Sequence, residues 1–512
     1  MSSRTSKGPR DLALDTGRGA RQTGRMGEQI LVLDAGTTST RAMVFDAAGQ
    51  MLAVAQQELT QHYPQAGWVE HDAAEIWAKT LACAREVVGD TPDRIAAIGI
   101  TNQRETVVAW DRQTGEPLAN AIVWQDRRTA AACAQLKDAG HEDAVQRQTG
   151  LLLDPYFSAT KMRWLLDNQD AVRSAAERGD LAFGTVESWL VWKLSGGAHV
   201  SDASNASRTL LLALDVAQFD PGLCDLFGVP RSALPEVVDT HGALAICASE
   251  HLGAAIPICG LVGDQQSATI GQGCLTLGET KATYGTGAFV LTNKGSDIPR
   301  SANRLLGTIL CQQAGQRIYA LEGSCFVAGS LVQYLRDTLG LIGSAAETEA
   351  LARSIPDSGE VVIVPALAGL GAPHWRPDAR GVISGLSFAS GRAQIARAAL
   401  EAMAHQTQDL ARAFAADGAP WSRLKIDGGM SANDWMAQDL ADVIDLPVER
   451  PDFVETTALG AAICAAVGTG LYGSLNDAAQ AMRGPAKEFA ADMADDVREA
   501  RLARYARALT AA

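Results

Sequence analysis

Several short segments of this chain combine residue types that can handle phosphate, hydroxyl groups and a proton. In Asp34-Ala35-Gly36-Thr37-Thr38-Ser39, an apolar run ends on an aspartate and a glycine turn. Gly36 permits a sharp bend. The N–H groups of the turn and the hydroxyls of Thr37, Thr38 and Ser39 can donate to phosphate oxygens. Asp34, at a strand end, could hold Mg²⁺ directly or through water. An ordinary Asp-Gly hairpin turn is the plainer reading, but consecutive hydroxyls favour phosphate. Neither G-x-x-x-x-G-K nor G-x-G-x-x-G occurs at this turn, which excludes a Walker loop and a dinucleotide fingerprint there.

A second aspartate, Asp264, leaves another apolar strand inside Gly263-Asp264-Gln265-Gln266-Ser267. It can serve as general base toward a hydroxyl, or cap a helix beginning near Ser267. In Asp427-Gly428-Gly429-Met430-Ser431-Ala432-Asn433 a strand runs into a double glycine. Bare backbone there lets a planar base approach, and Asn433 can hydrogen-bond that base or cap the following helix. Arg104 and Glu105, adjacent in TNQRET (101–106), offer a donor fork beside an acceptor, the pair that grips vicinal hydroxyls. Their plainer reading is a surface ion pair of little energetic weight. Trp124 could wall a pocket against a carbon chain, or simply pack in the core.

The elements that must position these residues follow from hydrophobic period. Residues 30–34, 41–46 and 51–57 read as a β-meander separated by Gly- and Asp-bearing turns. Residues 74–88 carry Ile76, Trp77, Leu81 and Ala84 on one helical face. Strands are expected at 95–100, 107–111, 181–183 and 258–263. The alternation makes the class α/β. The opening device, a strand, a Gly-Thr turn and a strand, returns at 281–292 around Gly285-Thr286-Gly287. It suggests either two related halves or a chance recurrence of a common turn.

At 512 residues the chain exceeds one compact core. Apolar residues at 47% and charged residues at 20% fit a soluble globular protein. A formal net charge of −15 argues against nucleic-acid and anionic-membrane partners. The nine cysteines form no C-x-x-C pair and follow no secretory signal, so reduced cytoplasmic thiols are expected. The Ala/Gly-rich stretch 456–471 is shorter than the roughly 20 apolar residues of a spanning helix, so it is expected to be a core helix and no membrane insertion follows. Residues 1–27 lack hydrophobic period and read as a disordered tail.

Together the segments DAGTTSTRA (34–42), PQAGWVEHD (64–72), TNQRET, WQDRRT (124–129), PYFSATK (155–161), DASNASRTLL (202–211), GDQQSATIGQ (263–272), TYGTGAF (283–289), LEGSCFVAG (321–329), GLGAPHW (369–375) and DGGMSAN (427–433) resemble the FGGY family of carbohydrate kinases. TNQRET and PQAGWVEHD resemble its glycerol-phosphorylating branch in particular. The resemblance implies an actin/hexokinase-like ATPase fold, with two similar ribonuclease H-like domains flanking a deep cleft. Their expected extents are 28–273, binding polyol and phosphate, and 274–512, binding nucleotide. It implies ATP and Mg²⁺ as cofactors and glycerol as substrate, in a cytoplasmic homodimer or homotetramer of glycerol catabolism. By the same resemblance Thr37, Thr38 and Ser39 contact nucleotide phosphates and Asp34, with Asp264, places Mg²⁺. Arg41 lies near the transferred phosphoryl. Thr286, Gly329, Gln333, Gly429 and Asn433 line the nucleotide site. Arg104, Glu105, Tyr156, Asp264 and Gln265 bind the polyol hydroxyls, Trp124 and Phe289 pack on its carbons, and Asp264 accepts the proton.

The chain departs from the family pattern at Ala35, where glutamine is common, and the HLGAAIPICG stretch (251–260) lacks the Gly-rich basic loop of sugar-bisphosphate control. Another polyol or a ketose is the alternative substrate, and a non-catalytic ATP-binding protein is the alternative class.

Overall fold

Residues 27–376 and 378–512 are described by the structure, a computed structural model. The tail expected at 1–27 lies outside the described residues up to residue 26. The predicted meander forms as β1 (Gln29–Ala35), β2 (Ser39–Phe45) and β3 (Met51–Glu58), all antiparallel neighbours. β4 (Ile95–Asn102) runs parallel to β1, and β6 (Ile256–Gly263) parallel to β4. β5 (His241–Cys247) closes the far edge antiparallel, for a sheet order β5-β6-β4-β1-β2-β3.

The second sheet repeats the plan. β7 (Thr280–Tyr284) and β8 (Ala288–Gly295) form the hairpin around the Gly-Thr turn. β9 (Leu306–Gln313) and β10 (Gln316–Cys325) extend it antiparallel on the β8 side. β11 (Leu424–Asp427) and β12 (Val448–Pro451) continue parallel from β7, and β13 (Ala486–Phe489) ends the sheet antiparallel. The order is β9-β10-β8-β7-β11-β12-β13. Each sheet thus has a hairpin, a parallel run and an antiparallel edge; the second adds β9. The echo near residue 280 is a repeat of topology, not a chance turn.

β1 is apolar at every position from Ile30 to Leu33 because both its faces are covered. Leu31 and Leu33 pack toward helices α1 (Ala73–Val88) and α2 (Val186–Ser195). Ile30 and Val32 pack toward α6 (Thr456–Gly468), the stretch expected to be a core helix, and the same cluster takes in Leu291, Leu310 and Ala320 of the second sheet. α6 and α3 (Asp264–Gly271) therefore form a layer between the sheets. Helices α4 (Arg392–Ala416) and α5 (Asp434–Ile444) cover the outer face of the second sheet. The layers run helix, sheet, helix, sheet, helix. No helix among the described residues is long and apolar enough to cross a membrane, and all nine cysteines are free and buried.

Candidate active site

The turn between β1 and β2 is held from below. Gln103 donates its backbone N–H to the Ala35 carbonyl (2.9 Å) and its Nε2 to the Gly36 carbonyl (3.0 Å). Ala35 is buried, so the turn is held there by backbone alone. Gly36 does not take a positive φ; glycine is suited there by space, because a Cβ would lie 3.1 Å from the Ser39 carbonyl. Thr37 Oγ1 accepts from Trp124 Nε1 at 2.9 Å, which ties the turn to the aromatic residue predicted to wall the polyol.

Asp34 is buried at the end of β1 and is ion-paired with Arg41, which also meets Glu455 at 2.6 Å. Burial raises the Asp34 carboxyl above its usual range, against the pull of Arg41. Asp264 begins α3 at the end of β6, with Gly263 as the helix cap, so it is not the cap of a later helix. Asp34 and Asp264 thus leave the same edge of the sheet, with β4 between their strands. The described residues contain no group of three or more metal-ligating side chains. Mg²⁺ needs only one or two carboxylates when phosphate and water complete its shell, so this donor set fits it.

Arg104 and Glu105 are not a surface pair: each is buried, at 2% and 1% exposure. Glu105 takes a φ of 62°, which side chains other than glycine rarely adopt. The stem of Arg104 lies over Gly263, where a Cβ would come within 2.8 Å of it. Arg104 Nη1 donates to Glu322 (2.6 Å) and Gln266 (3.2 Å), and Nη2 to Glu322 (3.2 Å) and the Tyr156 hydroxyl (3.3 Å). Its Nε stands 3.1 Å from Asp264 Oδ1 and 3.9 Å from Glu105 Oε1. Arg208 Nε donates to Glu105 Oε1 at 2.6 Å, and its Nη2 to Glu322 at 2.9 Å.

Burial alone would raise the Glu322 carboxyl, but Arg104 and Arg208 outweigh it and hold it down at about 2. Asp264 is ion-paired with one guanidinium, that of Arg104; its side chain keeps 31% exposure, and desolvation pushes it up to about 6. After these protein contacts, Glu105 Oε2, Asp264 Oδ2 and Gln265 Nε2 make no hydrogen bond to any described residue. Beside them the Trp124 ring meets Tyr156 edge-on at 5.6 Å and Phe289 at 6.2 Å. The structure therefore brings together every residue predicted for polyol binding. The sequence reading missed Arg208, Glu322 and Lys281. The signal available for Lys281 and Glu322 was a charged residue in the middle of a strand, in β7 and β10; Arg208 lies on neither.

The residues of the second half predicted to line the nucleotide site also converge. Thr286, Gly329, Gln333, Gly429 and Asn433 line one cavity of ≈ 420 Å³, together with Tyr284, Arg336 and Thr348, which were not predicted. Asn433 Oδ1 caps α5 through the Met436 N–H (3.0 Å) and Nδ2 donates to Thr348 (3.3 Å), so its side chain is engaged within the protein. Gly428, at φ 87°, brings its backbone against the end of β7, where a Cβ would sit 2.5 Å from the Tyr284 carbonyl.

Models of the FGGY family of carbohydrate kinases match residues 29–271 with the family's N-terminal domain and 280–469 with its C-terminal domain. The chain belongs to the FGGY family of carbohydrate kinases. This FGGY kinase is 54% identical over 485 residues to a glycerol kinase of Aromatoleum aromaticum, covering 94% of this chain and 98% of that one. It is 56% identical over 454 residues to a glycerol kinase of Rhodospirillum centenum, covering 88% and 91%. Its structure resembles the crystal structure of Plasmodium falciparum glycerol kinase with ADP, with a TM-score of 0.88 and 34% identity over 95% of this chain and 99% of that one. A gluconate kinase of Lactobacillus acidophilus, 21% identical, shares the fold with a TM-score of 0.81. The kinase fold is accordingly the actin/hexokinase-like ATPase fold.

Proposed function

We propose that this chain transfers the γ-phosphoryl group of ATP to a terminal hydroxyl of glycerol, giving sn-glycerol 3-phosphate and ADP. The observation that carries the reading is the set of uncommitted atoms around Asp264. Two carboxylate oxygens and an amide donor, beside the edge of an aromatic wall, match a short carbon chain bearing hydroxyls. Relatives more than half identical named glycerol kinase support the same substrate.

Residues 28–273 are assigned to polyol and phosphate, and 274–512 to nucleotide. Glu105 accepts from one hydroxyl, Gln265 donates to another oxygen, and Trp124 and Phe289 pack on carbon. Asp264, ionised at neutral pH, takes the proton of the attacking hydroxyl on Oδ2. The hydroxyl oxygen bonds to the γ-phosphorus as the bond to the β-phosphate bridging oxygen breaks. Thr37, Thr38, Ser39 and the turn's N–H groups hold phosphate oxygens that carry the developing charge. Arg41 joins them once it leaves Asp34. Asp34, with Asp264, would hold Mg²⁺, which would supply charge neutralisation to the phosphate oxygens. Thr286, Gly329, Gln333 and Gly429 border the nucleotide, and Asn433 shapes that wall as a helix cap.

A cytoplasmic homodimer or homotetramer is proposed alongside. Nine buried thiols support the reducing compartment, and the oligomer rests on family resemblance. A coupled ADP-release assay across glycerol, erythritol, dihydroxyacetone and ketopentoses tests the substrate. Glycerol is expected to give the highest kcat/KM; turnover on another of these with none on glycerol overturns the assignment.

A further inference from the structure

Lys281 is a fully buried ammonium that the reaction as described leaves without a task. It stands on β7, in the second half of the chain, and reaches the first turn of α3 in the other half. Its Nζ donates to Gln265 Oε1 and, at 2.9 Å, to Thr283 Oγ1; it forms no direct ion pair among the described residues. Burial pulls its pKa down to about 8, with Asp427, Asp264 and Glu322 holding it up and Arg104 opposing them. It is therefore charged at neutral pH and can only donate. An apolar side chain of the same length would fill this space without the cost of burying a charge, so the ammonium has to be explained by what it touches.

What it touches is an amide with two distinguishable ends. Facing an ammonium, Gln265 must turn its carbonyl inward, because the flipped amide would set NH₂ against NH₃⁺. Nε2 is then directed away from Lys281, and it makes no hydrogen bond to any described residue. Asp264, the preceding residue, is likewise uncommitted at Oδ2 and feels the positive charge of Lys281.

We propose that Lys281 is a positioning residue that fixes the orientation of the Gln265 amide, so that the pocket offers a polyol oxygen an N–H donor in addition to the carboxylate acceptors of Asp264 and Glu105. One hydroxyl is thereby read as an acceptor while others are read as donors, which sets how the chain lies before Asp264. The inference rests on the polyol kinase reading, and its test separates the two.

Lys281→Met, which keeps length without the donor, is expected to raise the KM for glycerol roughly tenfold, the worth of one oriented hydrogen bond. The KM for ATP should stay within about twofold. Gln265→Glu keeps an acceptor for Lys281 but presents an oxygen where Nε2 stood. It should raise the glycerol KM by a similar factor without lowering Tm, and it decides the matter if Lys281→Met does not fold. An unchanged glycerol KM in Gln265→Glu, or in folded Lys281→Met, overturns the proposal. Absent glycerol turnover in the unmodified enzyme overturns the underlying reading instead.

Discussion

At the scale of residues, neighbouring carboxylates are driven apart by their surroundings. Glu322 lies between two guanidinium groups and is held down at about 2, whereas Asp264 has one at its edge and desolvation lifts it to about 6. A group near 6 is ionised at neutral pH yet binds a proton readily, as a general base requires. The kcat/KM for glycerol should therefore climb with pH up to about 6 and level above it; a flat profile from pH 5 to 8 would remove Asp264 from the role. Its pKa is raised over the unfolded value, so the folded chain holds the proton more tightly. Ionisation thus costs stability progressively as pH rises from about 4 to 6, and fully above. Asp264→Asn should lower kcat by roughly 10²- to 10⁴-fold while raising Tm at pH 7.5, read by calorimetry; a fall in Tm would mean that the Arg104 contact outweighs desolvation. The sequence displayed Asp264, Arg104 and Glu105 as types at strand ends. It could not display that Arg104 spends both its terminal nitrogens on Glu322, Gln266 and Tyr156, because those partners arrive from distant segments.

At the scale of elements, strands and turns were legible because period and glycine are local signals. The meander and the hairpin at β7–β8 formed where expected, with ends displaced by a residue or a few. What period could not reveal was how close α3 and α6 come. A Cβ on Gly460 of α6 would stand 1.8 Å from the Ser267 carbonyl of α3, and one on Gly271 would stand 2.0 Å from the Thr456 carbonyl. These glycines are there for contact between backbones. Gly460→Ala should therefore destabilise by roughly 1–3 kcal/mol in chemical denaturation, since the clash outweighs the gain of about 1 kcal/mol in helix propensity. α3 carries Asp264 and Gln265 on its first turn, so the same variant should also raise the glycerol KM. Stability equal to the parent would show that the helices can part without cost.

At the scale of the molecule, contacts between the halves differ in kind. Glu322 reaches from β10 into the first half and is buried between Arg104 and Arg208, so removing it would leave the buried terminal nitrogens of both without their shared acceptor, a loss of roughly 3–5 kcal/mol. Arg41 and Glu455, by contrast, meet with 24% and 35% of their side chains exposed, where an ion pair is worth little. A joint that is firm at its buried base and weak at its rim can turn about the base. The reaction needs that turn: the phosphate turn after β1 and the nucleotide cavity beyond β7 belong to different halves, and water must be kept from the γ-phosphoryl. On the proposed mechanism Arg41 exchanges Asp34 and Glu455 for phosphate, which would break the rim contact as ligands enter. Small-angle scattering should therefore show the radius of gyration fall when glycerol and a non-hydrolysable ATP analogue are added together, and fall less with either alone. An unchanged radius with both bound would mean that the halves are already closed around the site, and that Arg41 reaches phosphate by side-chain rotation within a rigid frame.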